Sequence, residues 1–170
     1  MLVTEILNPK KHDRNGFDCG VEALNKFISK QANQSSSRSL TKTFVLIETD
    51  NPSRIIGFYT LAYASVSAPQ GFSPLKNYPH PAPALKLTRM AVHVDSRGNK
   101  FGEQMLLDVI NKTAMTANAD NPAAVIGLFV DPKHQAIDFY KKYGFIDAAS
   151  DQGELLYIPI QHCITLSADP

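Results

Sequence analysis

The chain has 170 residues, a formal net charge of +1 at pH 7 and 44% hydrophobic residues. This length suffices for one domain with its own core, which we place at residues 1–170, and the composition is that of an ordinary globular protein. The near-zero charge gives no general argument for a nucleic-acid or membrane partner. Because no apolar run could span a bilayer and the N-terminus lacks the apolar core of a signal peptide, we expect a cytoplasmic protein.

The sequence offers little thiol or metal chemistry. Its two cysteines, Cys19 and Cys163, form no CxxC pair, which predicts free thiols in a reducing compartment. No His, Cys, Asp or Glu residues have metal-ligand spacing, and no Ser-His-Asp or Cys-His set stands out. We therefore expect neither a metal site nor a serine or cysteine nucleophile.

The first part of the chain predicts a helix followed by a β-hairpin. In "VEALNKFISKQAN" the apolar residues Val21, Leu24, Phe27 and Ile28 recur at helical spacing, and Asp18 is expected to cap the helix. The segments "TKTFVLIETD" and "RIIGFYTLAYASV" have the composition of strands. The turn residues of "DNPSR" between them predict a hairpin.

A proline-rich segment follows the hairpin. Residues 68–85 hold five of the eleven prolines of the chain. Since proline cannot pair within a central strand, we expect a long loop here, either a functional lid or a loosely held excursion.

The last part of the chain predicts alternating strands and helices. We expect a strand over Leu87–Val94, and then a helix over roughly Lys100–Ala117 with an apolar side. That side comprises Met105, Leu106, Val109 and Ile110. The apolar run "AAVIGLFV" predicts a buried strand, "HQAIDFYKKYGF" a short helix ending at Gly144, and "GELLYIPI" a last strand. The fold class is thus α/β, a mixed central sheet flanked by helices.

The turn "RGNKFG", Arg97–Gly102, has the features of an anion-binding site. The first amides of a helix lack backbone acceptors and carry partial positive charge, and glycine leaves room for a phosphate to approach. Arg97 and Lys100 would add charge. A plain surface turn with solvated cations explains the same residues equally well.

The segment "AIDFYKKYGF", Ala136–Phe145, decides between these interpretations. It matches in full the A-x-x-F-Y-x-x-x-G-F motif of the acetyl-CoA-dependent GNAT N-acetyltransferases, and the chain resembles that family. The family's Q/R-x-x-G-x-G/A turn, which wraps the coenzyme A pyrophosphate, is matched at Arg97 and Gly102. Lys100 stands where the middle glycine is usual. The resemblance therefore implies acetyl-CoA as the acetyl donor.

Three further segments narrow the resemblance to one branch of the family. "GFDCGVEALNKFI", "IIGFYTLAYASV" and "KLTRMAV" are similar to the acetyltransferase toxins of bacterial toxin–antitoxin pairs. This resemblance implies the α-amine of an aminoacyl-tRNA as the acceptor, whose acetylation stops translation. It also implies a ribbon-helix-helix antitoxin as protein partner and a homodimer.

The resemblance also assigns roles to individual residues. The pantetheine arm would lie along the strand Met90–Val94, the strand Leu128–Val130 would splay away, and a backbone N–H near Met90–Val92 would stabilise the oxyanion. Tyr140 would be the general acid for the departing thiolate, whereas its spacing alone favours core packing. The implied cofactor-binding residues are Met90, Ala91, Val92, Val94, Arg97, Gly98, Asn99, Lys100, Phe101, Gly102, Val130 and Phe139.

The general base is left unassigned. The residues near the expected site that could serve are His93, Glu103, Asp131 and His134, and each is more typical of a structural or solvated group. If the acceptor is an aminoacyl ester, the pKa of its amine is already low, and a water molecule suffices as the base.

An RNA partner has weak support in the charge distribution. The first 42 residues hold seven Lys and Arg against four Asp and Glu, a balance of +3. The candidate phosphate contacts are Lys26, Lys30, Arg38 and Lys42. A solvated helix face accounts for the same charges.

Two other functions remain open from the sequence. The first is acetylation of a small amine or a protein N-terminus, with the loop 68–85 and its Phe72 and Tyr78 forming the acceptor pocket. The second is a non-catalytic module that binds coenzyme A. Lys100 at the usual glycine position supports the second, and an intact Tyr140 opposes it.

Overall fold

A computed structural model of the chain describes residues 1–67, 80–148 and 154–168. Its strands form one seven-stranded mixed sheet in the order β1-β2-β3-β4-β5-β7-β6. β4 and β5 pair in parallel, whereas β1 with β2, β2 with β3, β5 with β7 and β6 with β7 pair antiparallel. The strands are β1 Leu2–Ile6, β2 Lys42–Glu48, β3 Gly57–Val66, β4 Ala82–Val92, β5 Gly127–Val130, β6 Ile146–Asp147 and β7 Leu156–Pro159. The predicted α/β class is confirmed.

Five α-helices accompany the sheet in the described residues. They are α1 Glu22–Lys26, α2 Ala32–Ser37, α3 Phe101–Met115, α4 Ile137–Lys142 and α5 Ile160–Ala168. A π-helical turn, Phe27–Gln31, joins α1 to α2, and short 3-10 turns at Val94–Ser96 and His134–Ala136 precede α3 and α4. Among the described residues, no helix is both long enough and apolar enough to cross a bilayer.

The chain comprises two compact units. One is Met1–Ala62 with Thr88–Asp108, and the other is Tyr63–Leu87 with Val109–Pro170. Each has a buried apolar cluster, in the first unit Phe17, Cys19, Phe27, Ile28, Ala32, Val45, Ile47, Ile55 and Phe58, and in the second Ala84, Phe129, Ala148 and Tyr157. One domain over residues 1–170 stays a prediction.

The first predicted helix is present, but Asp18 does not cap it. Val21 occupies the N-cap position with no side-chain cap bond. The Asp18 carboxylate instead accepts hydrogen bonds from the Gly20 N–H at 2.8 Å and from the Asn25 amide at 2.7 Å. These bonds lower the pKa of Asp18. Asp18 therefore stabilises the turn that leads into α1 and does not cap the helix.

The predicted hairpin is confirmed. Strands β2 and β3 pair antiparallel from Lys42 opposite Leu61 to Leu46 opposite Gly57. Inside this pair the hydroxyls of Thr43 and Thr60, both fully buried, share a hydrogen bond of 2.9 Å. A buried hydroxyl pair of this kind specifies the register, because a slip of one residue would leave both groups without a partner.

The expectation of a loop up to residue 85 is wrong at its end. Residues 68–79 lie outside the described chain, but β4 begins at Ala82 and includes Pro83. Pro83 is the second residue of the strand, and its carbonyl accepts a hydrogen bond from the Ile126 N–H at 2.9 Å. Proline is tolerated there because pairing through its carbonyl needs no N–H, and strand starts are where proline occurs.

The later elements agree with the predictions except at their ends. The apolar side of α3, Met105 with Leu106, Val109 and Ile110, is buried to 1% exposure or less. Gly144 follows α4 with φ 87, as a C-terminal glycine does. Val94 belongs to the 3-10 turn and not to β4. The strands β1 and β6 and the helix α5 were not predicted.

Candidate active site

The turn between β4 and α3 has an unusual backbone. Gly98 and Lys100 have φ of 81 and 58, so two of three consecutive residues are left-handed. Side-chain bonds fold the turn on itself, since the Asn99 amide donates to the carbonyls of Ser96 at 3.2 Å and Arg97 at 3.3 Å. Alternation of right- and left-handed residues points successive N–H groups into one concavity.

The amides of this turn are available to a ligand. Arg97 N–H donates to the Val94 carbonyl and Gln104 N–H to the Lys100 carbonyl. Within the described chain, no backbone carbonyl accepts from the N–H groups of residues 98–102. These groups lie at the N-terminus of α3, a fifteen-residue helix, where the helix dipole adds positive potential. This arrangement is compatible with an anion site at the turn, which stays a prediction.

The described residues leave space beside Gly98 and Gly102. Apart from its chain neighbours and the backbone of its own helix, a Cβ placed on Gly102 would have Val92 Cγ2 as its nearest described atom, at 4.0 Å, and one placed on Gly98 would meet no described atom within 4 Å. The absence of a side chain at Gly102 therefore leaves a gap that no described residue fills. A diphosphate fits there, because it needs close approach to main-chain nitrogen.

Lys100 occupies the middle-glycine position with φ 58, a conformation that costs a side-chain-bearing residue about 1–2 kcal/mol. We expect Lys100→Gly to raise the free energy of unfolding by about 1 kcal/mol, whereas Lys100→Ala should not. Chemical denaturation of the three proteins measures this difference. Equal stability of the Gly and Ala variants would mean that the left-handed turn is not maintained in solution.

Arg97 makes a contact that the sequence did not predict. Its Nη2 donates to the carbonyl of Cys19 at 2.6 Å, across 78 residues of sequence. The expected phosphate-binding cation is thus already engaged with the protein on at least one of its nitrogens. Lys100, the other expected cation, is exposed.

The last residues of β4 expose main-chain groups on one edge. The His93 N–H donates to the Ile56 carbonyl at 2.8 Å, and a Cβ on Gly57 would lie 2.9 Å from the Ala91 carbonyl oxygen. Ala91 and His93 therefore direct their main chain toward β3. Because direction alternates along a strand, the N–H groups of Met90 and Val92 point the opposite way. The pairing of β4 with β5 ends at Leu87 opposite Val130. An oxyanion donor at Met90 or Val92 is compatible with this register.

Tyr140 lies on α4 in the second unit and is 7% exposed. Its ring packs edge-on against Phe139 at 5.2 Å and Phe145 at 5.4 Å between centroids. No group in the described residues hydrogen-bonds its hydroxyl, and burial raises the pKa of Tyr140 to about 12. The phenol is therefore protonated at neutral pH and has its proton free to donate. Val130, another implied cofactor residue, is buried between β4 and β7.

The residues considered as bases have other partners or are exposed. The His93 ring nitrogen Nδ1 accepts from the Asp95 N–H at 3.2 Å, and Asp131 pairs with Lys86 at 2.5 Å. His134 lies 3.7 Å from Glu154 with a 91% exposed side chain. Within the described residues, no three His, Cys, Asp or Glu side chains are grouped as metal ligands. Cys19 and Cys163 are free thiols, as predicted.

The basic residues proposed for RNA contact are all exposed. Lys26 ends α1, Lys30 lies in the π-helical turn, Arg38 follows α2 and Lys42 begins β2. Sequence reasoning missed Arg89, whose guanidinium carbon stacks 3.9 Å from the ring centroid of Phe27 on the same unit. The segment "KLTRMAV" contains this cation, but its sequence does not indicate the contact with Phe27.

The class of protein that these features suggest is an acyl-coenzyme A-dependent transferase. The features are the mixed sheet, the amides of the turn between β4 and α3, and the buried, protonated phenol of Tyr140. Comparison with known proteins gives the family. The Acetyltransferase (GNAT) domain profile matches residues 41–147, and the chain belongs to the GNAT acetyltransferases.

Individual relatives are bacterial toxins. The chain is 27% identical over 148 residues to a tRNA-acetylating toxin of Mycobacterium tuberculosis (strain ATCC 25618 / H37Rv), covering 86% of each chain. It is similar to AtaT complexed with acetyl-methionyl-tRNAfMet, with a TM-score of 0.85, 26% identity and coverage of 98% of this chain and 99% of that one. It is also similar to AtaTR bound with AcCoA, with a TM-score of 0.82, 26% identity and 97% coverage of both chains.

Proposed function

We propose that the protein transfers the acetyl group of acetyl-CoA to the α-amine of an aminoacyl-tRNA and acts as a translation-blocking toxin. The observation that carries this proposal is the array of amides at residues 98–102, which no backbone carbonyl of the described residues accepts from, beside the gap at Gly102 that no described side chain fills. Similarity to a tRNA-acetylating toxin and to AtaT bound to an acetylated aminoacyl-tRNA supports the acceptor.

Different groups of the protein would contact the diphosphate and the pantetheine arm of acetyl-CoA and position its thioester. Amides of Gly98, Asn99, Phe101 and Gly102, with the exposed Lys100, would hold the diphosphate. The free edge of β4 would pair with the amides of the pantetheine arm in the manner of an added strand. Bound acetyl-CoA supplies an activated thioester, and the protein supplies position and charge.

The chemistry assigned to the chain has two parts. The N–H of Met90 or Val92 would donate to the thioester oxygen as negative charge develops there, which is worth about 3 kcal/mol for a single donor. Tyr140 would then pass its hydroxyl proton to the departing thiolate as the carbon–sulfur bond breaks. The acceptor amine has a pKa low enough to lose its proton to water, since even a free α-amino group titrates at about 8.

The partners follow from the same proposal. The exposed cations Lys26, Lys30, Arg38 and Lys42 would contact the tRNA backbone, with a salt dependence that reports the number of phosphates neutralised. We also propose a ribbon-helix-helix antitoxin, a homodimer and action in the cytoplasm. AtaTR with AcCoA, a solved relative, supports the cofactor.

The test is a transfer assay with radiolabelled acetyl-CoA. We expect label on aminoacyl-tRNA, and none on deacylated tRNA, free amino acids or polyamines. Growth arrest on induction should accompany it. Labelling of polyamines or peptides in place of charged tRNA would contradict the proposed acceptor, and failure to bind acetyl-CoA at all would contradict the enzyme assignment.

A further inference from the structure

Residues 17–19, a short segment before α1, lie against the turn between β4 and α3. The Val94 N–H donates to the Asp18 carbonyl at 2.8 Å, and Arg97 Nη2 donates to the Cys19 carbonyl at 2.6 Å. Phe17, buried in the core, packs edge-on against the ring of His93 at 5.7 Å between centroids. The turn is therefore supported on one side by residues 17–19 through two hydrogen bonds and an aromatic contact.

The segment is in turn fixed to α1 by one side chain. Asn25 accepts a hydrogen bond from the Cys19 N–H at 2.9 Å and donates one to Asp18 at 2.7 Å. Asp18 also accepts from the Gly20 N–H at 2.8 Å. A continuous path of hydrogen bonds thus runs from the guanidinium of Arg97 through Cys19 to Asn25, all within one compact unit.

The turn has reason to need such support. Gly98 and Lys100 have left-handed backbones, and residues 97–100 are exposed. The N–H groups bind a diphosphate well only when they converge, and a turn that wanders among conformations must be ordered at the moment of binding. The Arg97 side chain joins the turn to the carbonyl of Cys19, a residue buried in the core of the same unit.

We propose that Arg97 is a positioning residue for acetyl-CoA, acting through Cys19 and Asn25 to hold the amides of residues 98–102 in place. This proposal rests on the proposed use of acetyl-CoA but not on the identity of the acceptor. It differs from the expected role of Arg97 as a direct phosphate contact. If Arg97 contacts the phosphate directly, substitution of Asn25 leaves the Kd for acetyl-CoA unchanged. If Arg97 positions the turn, substitutions of Arg97 and Asn25 raise this Kd through the same path of hydrogen bonds.

The experiment is a double-mutant cycle with acetyl-CoA as the titrated ligand. We expect Arg97→Met and Asn25→Leu each to raise the Kd for acetyl-CoA by about tenfold, the scale of one charge-assisted hydrogen bond. The double variant should be no weaker than Arg97→Met alone, because the second change removes a path already broken. In turnover, the KM for acetyl-CoA should rise while kcat at saturation stays unchanged. Arg97→Lys should restore part of the affinity.

The matched control is Lys10→Met. Lys10 is an exposed cation of the same compact unit, and its main-chain N–H donates to the Asn8 side chain. This variant removes one positive charge and should leave the Kd unchanged. All titrations are made well below the melting temperature of each variant, since a merely structural role lowers the Tm without moving the Kd. Additive losses, a neutral Asn25→Leu or an equal loss in Lys10→Met would overturn the positioning role. Loss of binding in the wild type would instead contradict the proposed function.

Discussion

Tyr140→Phe should lower kcat for acetyl transfer by about 10²–10⁴-fold, the usual contribution of a positioned general acid. Its Kd for acetyl-CoA and its Tm should stay near those of the wild type. The reason is that the Tyr140 hydroxyl has no hydrogen-bond partner in the described residues, so its removal leaves nothing buried without a partner. Single-turnover assays, with melting curves of both proteins, measure the effect. Induced expression of this variant should not arrest growth.

Tyr157→Phe is the matched control. Tyr157 is also a buried phenol with a pKa raised to about 12, but its hydroxyl donates to the Ile126 carbonyl at 3.0 Å. Its loss should therefore lower the free energy of unfolding by about 1–3 kcal/mol and leave kcat unchanged. Equal activity of Tyr140→Phe and wild type would remove Tyr140 from the chemistry.

The raised pKa of Tyr140 adds a pH signature. An acid must be protonated to act, and burial keeps this phenol protonated up to about pH 12. The rate should therefore show no descending limb near pH 10, where an ordinary tyrosine ionises.

Gly102→Leu should weaken acetyl-CoA binding by at least about 100-fold without harming the fold, because the gap it fills is where the diphosphate must approach main-chain nitrogen. Apart from its chain neighbours and its own helix, a Cβ at this position lies 4.0 Å from the nearest described atom, Val92 Cγ2, so the first atom of the new side chain meets no clash there. Leucine is also the better helix former, by up to about 1 kcal/mol over glycine. Calorimetric titration should show lost binding together with an equal or higher Tm.

A smaller substitution at the same position and a leucine at a neighbouring position serve as controls for this result. Gly102→Ala adds only the Cβ and should show a smaller loss of affinity. Gln104→Leu places the same side chain on an exposed position of the same helix, two residues further on, and should bind acetyl-CoA as the wild type does. Normal binding by Gly102→Leu would show that the diphosphate lies elsewhere.

The parts of the fold that the sequence predicted are those with a strong local pattern. The β2–β3 hairpin and α3 have alternating or helical apolar spacing, and both are present. The missed elements are short or follow another element directly: β1 pairs with β2 through five residues, β6 has two residues, and α5 begins immediately after β7. The predicted loop extends too far, to residue 85, because proline disfavours pairing within a central strand. Proline is tolerated at the start of a strand, and composition does not reveal where Pro83 lies within β4.

The candidate site also has features that local sequence predicts and contacts that it does not predict. Local chemistry predicted the amides of residues 98–102 that have no backbone acceptor among the described residues, because a helix N-terminus leaves its first amides without intrahelical acceptors. It could not predict the partner of Arg97, since Cys19 is 78 residues away in sequence. Asp18 was misassigned for a related reason. Its spacing suited a cap, but its carboxylate instead accepts from the Gly20 N–H and the Asn25 amide.

The π-helical turn at Phe27–Gln31 has a consequence for how such proteins could diverge. A turn of this type holds one residue more than an α-helical turn, so deleting a residue there would restore a regular helix. A π-helical turn uses one residue more than an α-helical turn for about the same rotation, so the residues beyond it would keep nearly their present direction after the deletion. Arg38 would then keep its direction relative to Lys26. A single-codon deletion in this turn is thus a change in length that leaves the pattern of surface charge on α1 and α2 in place.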